Sequence, residues 1–203
     1  KMDVQVKDPA AAGDTLLYSG LQSVTYEVYN NSVSTTEPTQ QGTLFDVETT
    51  TLKGDKHGLI QTWQENGCIT VDRNLNNSND VTVKITATDN AGNVSTKTCA
   101  LKIDITAPTI DISYNNNNAD SGTYFKEDRT ATIVVRERNF NPEDVELTIT
   151  NTDGVMPAIS GWSQRTGSGN GDDTAWTATV TYAAEGDYTF AIAYTDLAGN
   201  RCA

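Results

Sequence analysis

The sequence predicts an all-β chain made of two tandem sandwich domains. Three observations carry that expectation. The 203 residues are rich in Thr, Asn, Asp, Val and Gly and include only two Met. That bias favours strands and turns, because β-branched side chains fit a pleated surface and Asn, Asp and Gly make turns. Apolar and polar residues alternate with period two in many short runs, which marks strands with one buried face. Finally, the phrase "TDNAGN" at Thr88 to Asn93 returns as "TDLAGN" at Thr195 to Asn200.

Extending the two phrases backwards aligns "VTVKITATDNAGN" with "YTFAIAYTDLAGN". Val81, Val83, Ile85 and Ala87 fall on Tyr188, Phe190, Ile192 and Tyr194. Each phrase therefore follows an alternating strand, and the first is followed by a further strand-like run, "VSTKTCALKI". The phrase reads as the loop of a closing hairpin. Between the copies, "IDITAPTIDI" contains Pro108, which cannot donate to a ladder and restricts Ala107 to extended conformations. The expected domains are 1–105 and 106–203, a spacing that suits whole domains rather than solenoid repeats.

In domain one, strands are expected at "MDVQV", "SVTYEVY", "GTLFDV", "LIQTW" and "CITVD", ahead of the closing hairpin. Val24, Tyr26 and Val28 share a face. In domain two they are expected at "TIDISY", "TATIVVRE", "VELTIT" and "TAWTATVTY". There Val145, Leu147 and Ile149 point inward, and Trp176, Ala178, Val180 and Tyr182 share a face. About seven short strands in about 100 residues predict an immunoglobulin-like β-sandwich. Tyr188, two residues before Phe190, stands where such domains carry a corner tyrosine that bonds to the upstream backbone. Phe190 and Val83 take the place of the inter-sheet cysteine, so the antibody-type disulfide is not expected.

Net charge is −13, which makes nucleic acid and anionic membrane surfaces poor partners. No run of about 18 apolar residues predicts a membrane span. The chain starts inside an alternating pattern and is expected to be a fragment of a longer protein. The cysteines are Cys68, Cys99 and Cys202, with His57 the single histidine. A Cys/His zinc site is not expected. Cys68 and Cys99 are a possible disulfide pair, which leaves Cys202 over.

Two readings compete for the repeated phrase. Asp89 with Gly92 and Asn93, and Asp196 with Gly199 and Asn200, suit a turn, since Asp accepts from backbone N–H groups and Gly supplies positive φ. Hard oxygen ligands also suit calcium, with Asp89, Asp104 and Asp196 as candidate ligands. Trp63, Trp162 and Trp176 are either core or a sugar-stacking set. The polar segments "NNSVSTTEPTQQ" and "SQRTGSGNGDD" are expected to be loops, able to carry binding. Asp172–Asp173 and Glu143–Asp144 read as solvated charge. An isopeptide link between Lys7 and Asn93 is conceivable. With one His and no G-x-S-x-G, no catalytic residues are expected.

The stretch "ITAPTIDISYNNNNADSGTYFKEDRTATIVVRERNFNPEDVELTIT", with "SGW" and "GDYTFAIAYTDLAGN", resembles bacterial immunoglobulin-like repeats of Gram-positive, gut-type cell-surface proteins. The resemblance covers nearly all of domain two. Domain one is similar to a sister type through "YSGLQSVTYEVYN" and "NNSNDVTVKITATDNAGN". It implies an extracellular, secreted or wall-anchored location and no catalytic residue. It also implies a non-catalytic function: binding a host protein, an immunoglobulin variable domain being the most specific candidate, in superantigen-like fashion. The alternatives are a structural spacer and a carbohydrate-binding module.

Overall fold

Alternation along the chain becomes antiparallel ladders in the computed structural model, which describes residues 1–9, 18–49, 60–166 and 171–202. The described residues are all-β, with thirteen strands, one 3-10 turn at Pro142–Asp144 and no α-helix. None of their structure is a helix long and apolar enough to cross a membrane. Contacts divide the chain into two compact units, Lys1–Asp104 and Ile105–Ala203.

Unit 1 holds strands β1 (Met2–Lys7), β2 (Leu21–Asn30), β3 (Gln40–Asp46), β4 (Thr62–Ile69), β5 (Ser78–Asp89) and β6 (Val94–Ile103). One sheet pairs β1 with β4; the other runs β3-β2-β5-β6. The inward residues of both sheets make the core: Val4, Val28, Ile69, Val81 and Val83 in one cluster, and Leu21, Val24 and Phe45 in another. Removing this apolar surface from water drives the two layers together.

Unit 2 holds β7 (Thr109–Tyr114), β8 (Arg129–Arg136), β9 (Val145–Asn151), β10 (Ala158–Ile159), β11 (Ser163–Gln164), β12 (Ala175–Tyr182) and β13 (Tyr188–Tyr194). One sheet runs β10-β12-β8-β7, with β11 also on β12; the other pairs β9 with β13. Ala131, Ile133, Val135, Ile149, Val180 and Tyr194 form the core. The corner tyrosine is present: Tyr188 Oη donates to the Ala184 carbonyl at 2.9 Å.

Three differences from the sequence reading concern strand bounds and the cysteine pair. "LIQTW" and "CITVD" are not two strands, because β4 runs from Thr62 to Ile69 straight through Asn66 and Gly67. Gly67 sits at φ +63° and its N–H donates to Asp3 Oδ1 at 2.6 Å. The ladder shifts register opposite it, so the glycine makes a bulge rather than a break. Next, Ser163 and Gln164 open the polar "SQRTGSGNGDD" segment as strand β11, paired to Thr177 and Trp176. β10 and β11 share the same partner strand, and the interruption between them turns the Trp162 ring onto Phe140. Finally, Cys68 and Cys99 are free thiols, not a disulfide. They lie on strands of different sheets: Cys68 packs against the core and Cys99 is exposed on β6.

Candidate functional site

The two copies of the repeated phrase close in the same way. Asp89 Oδ1 accepts from the Ala91 and Asn93 backbone N–H groups at 2.9 and 2.7 Å, and Oδ2 accepts from Asn93 Nδ2 at 2.8 Å. In the second copy, Asp196 Oδ1 accepts from Ala198 and Asn200 at 2.9 and 2.8 Å, and Oδ2 from Asn200 Nδ2 at 2.8 Å. Gly92 and Gly199 take positive φ, 84° and 88°. Both carboxylates thus bind N–H groups of their own loop. Asn93 holds the Asp89 carboxyl below the usual carboxylate range; burial opposes this, and Ser19 and the loop N–H groups add to the lowering. Asp104, the third expected calcium ligand, is half-buried.

Within unit 2, Asp196 has a neighbour that the sequence reading passed over. Its carboxylate and that of Glu137 lie within 4.8 Å, and both residues are buried. Glu137 Oε1 accepts from the Asn139 N–H at 2.7 Å. Burial, and after it the charges of Glu137, Asp144 and Asp196, push the Tyr194 hydroxyl up, while the bond from the Asn141 N–H pulls the other way. A signal for Glu137 existed: it continues the inward parity of Ala131, Ile133 and Val135.

A second candidate site is a concavity in unit 1. A cleft of about 1280 Å³ opens between the edges of β1 and β6. Its floor includes Val4 and Val6 of β1 and Ile85 and Ala87 of β5; Val94 and Cys99 of β6 form part of the far wall. The alternation that builds the core also builds this floor, since these β1 and β5 residues are the inward ones. β6 is the last strand of its sheet, and eight of its ten residues are exposed. At one end, Asp8 is buried and its Oδ2 accepts from the Gly20 N–H at 2.7 Å and Ser19 Oγ at 3.3 Å, which pins the segment leading into β2 beside the cleft. Apolar floor, polar rim and two strand edges suit a polypeptide or other amphipathic ligand.

The remaining candidates are placed as follows. Trp63 packs on Phe45, with ring centroids 6.1 Å apart. Trp162 and Trp176 both pack on Phe140 at 5.1 Å, and Trp176 Nε1 donates to the Glu137 carbonyl. Lys7 and Asn93 both line the unit 1 cleft, where the Asn93 amide is engaged by Asp89. Asp172 is not simply solvated charge: it lies 3.4 Å from Arg138 Nε and accepts from Thr106 Oγ1 at 2.8 Å. Asp144 accepts from Asn141 Nδ2, and Asn141 caps the 3-10 turn through Glu143 N–H. His57 lies outside the described residues, as do residues 167–170 of the second polar segment.

No protein-family model matches the chain, and no curated protein matches it.

Proposed function

We propose that this chain is a non-catalytic, extracellular binding module of a bacterial surface protein that recognises a host protein. An immunoglobulin variable domain is the most specific candidate partner. The observation that supports a binding role is the unit 1 cleft, an apolar floor held between two strand edges on a rigid sandwich. A rigid scaffold needs little ordering on docking, which limits the entropy cost of association. The resemblance to bacterial immunoglobulin-like repeats supports the location and the class of partner. Surface plasmon resonance against a panel of antibody fragments tests the reading. Saturable binding to variable domains supports it; flat traces across the panel overturn the immunoglobulin partner.

A spacer role is the second reading, favoured by the repeated loops. Both use their carboxylates on their own backbone, as a purely structural hairpin does. Substitutions along the cleft rim that leave every host interaction unchanged would favour the spacer. A glycan-binding role has the least support, because all three Trp rings pack against Phe45 or Phe140.

A further inference from the structure

The bulge in β4 sets a reactive pair of residues against a carboxylate. The strand reads Glu65, Asn66, Gly67, Cys68 at this point. Between the ladder pairs Met2↔Ile69 and Val4↔Glu65, Asn66, Gly67 and Cys68 face Asp3 alone, three residues against one. The bulged backbone stands outside the ladder, so it can turn without breaking the pairs on either side.

Asn66 is exposed, and no hydrogen bond to another described residue holds its side chain. Gly67 has no Cβ to shield its amide nitrogen. That N–H donates to Asp3 Oδ1 at 2.6 Å, which is the reach required of a general base. The other charges beside the pair are Glu65, exposed next to Asn66, and Lys1, whose stem lies 3.6 Å from where a Gly67 Cβ would stand. Among the described glycines with positive φ, only Gly67 follows an asparagine. Gly154, which follows Asp153, gives its N–H to the Asn151 carbonyl at 3.1 Å, and a backbone carbonyl is no base at neutral pH.

We propose that Asn66 is a self-modifying residue, deamidated by attack of the Gly67 nitrogen with Asp3 as the base. The Asp3 carboxylate takes the proton from the Gly67 nitrogen as that nitrogen bonds to Asn66 Cγ. The Cγ–Nδ2 bond then breaks, and the amino group leaves with the returned proton as ammonia. The product is a succinimide ring. Water opens it on the side-chain carbonyl to give aspartate, or on the backbone carbonyl to give isoaspartate, which adds one methylene to the main chain of β4. Either product sets a new negative charge opposite Asp3, and like charges repel across the β1–β4 bulge.

The full chain is incubated at neutral pH and body temperature and then digested. Mass spectrometry follows the peptide holding Asn66, and isoaspartyl methyltransferase labelling identifies isoaspartate. The amide-to-acid mass gain should appear there faster than in a free peptide of residues 62–70, TWQENGCIT, which lacks Asp3. Asp3→Asn should slow the reaction about tenfold or more, and Asn66→Gln should abolish it. Fluorescence of Trp63, paired with Val6, shows whether β1 and β4 stay assembled in the Asp3 variant. The pH profile of the unsubstituted chain needs no variant to fold. A carboxylate stays ionised through the neutral range, so the rate should be nearly level from mildly acid to neutral pH. Hydroxide as the base would instead raise it about tenfold per pH unit, and that profile overturns the proposal. It is also overturned if Asn66 stays an amide while the free peptide reacts, or if the free peptide reacts faster than the folded chain. An equal or faster reaction in Asp3→Asn overturns it too, since the carboxylate then restrains the nitrogen instead of activating it.

Discussion

Replacing the aspartate of each repeated loop by alanine should have unequal consequences, although the loops make the same bonds. Asp196 is 5 % exposed and accepts three hydrogen bonds, two of them from backbone N–H groups. Asp196→Ala strands those donors in a partly buried loop. With a penalty of about 1–3 kcal/mol per orphaned buried group, offset by relief of repulsion from Glu137, the net cost is about 3 kcal/mol. For a unit of this size that lowers the melting temperature by roughly 15 °C. Asp196→Asn keeps an acceptor for the backbone donors and removes the like charge beside Glu137, so it should cost much less than alanine. Asp89 is half-buried but makes the matching bonds where solvent reaches them, so water replaces them. Asp89→Ala should therefore destabilise unit 1 far less. Urea unfolding followed by tryptophan fluorescence measures both, with Trp63 reporting unit 1 and Trp162 and Trp176 reporting unit 2. Equal losses for the two alanine variants would refute the assignment of the difference to burial.

Three further outcomes are expected. Tyr188→Phe removes the bond to the Ala184 carbonyl and keeps the ring against Tyr182, so unit 2 should lose about 1 kcal/mol in urea unfolding. Gly186→Ala should cost about 2 kcal/mol by the same measurement, because its φ is +134° and a Cβ there runs into the Asn151 side chain. The Asp89 carboxyl is held below its ordinary value of 3.8, so its contribution is complete above that pH and is lost as pH falls through the lowered folded value. An NMR titration of the Ala91 and Asn93 amides should show a midpoint below 3.8, and a midpoint at or above it would contradict the loop bonds.

Much of the fold was legible because inward parity is a local property. Val81 and Val83 are buried in β5, as are Ala131, Ile133 and Val135 in β8 and Ala178 and Val180 in β12, where alternation put them. The errors came where local chemistry has two outcomes. Asn66-Gly67 is a turn signal, but pairing with β1 holds it in a strand and the glycine's positive φ becomes a bulge. Ser163-Gln164 has little strand propensity, yet the open edge of β12 recruits it. The polar residues were harder. Glu137 was readable only as a break in an apolar parity. Asp172 was read as solvated because Arg138, its partner, is 34 positions away in sequence.

The sequence by itself determined the all-β class, the inward face of most strands, the corner tyrosine and the loop chemistry of "TDNAGN" and "TDLAGN". These depend on neighbours two to four residues apart, and such distances are written along the chain. Only the tertiary structure decided how the described strands pair into sheets, that Cys68 and Cys99 lie on separate sheets, and that Asp196 is buried while Asp89 is not. Those properties depend on long-range pairing. A strand's own residues do not state which strands it pairs with, so the sheet order and the cleft lined by β1, β5 and β6 became visible only once the sheets were assembled.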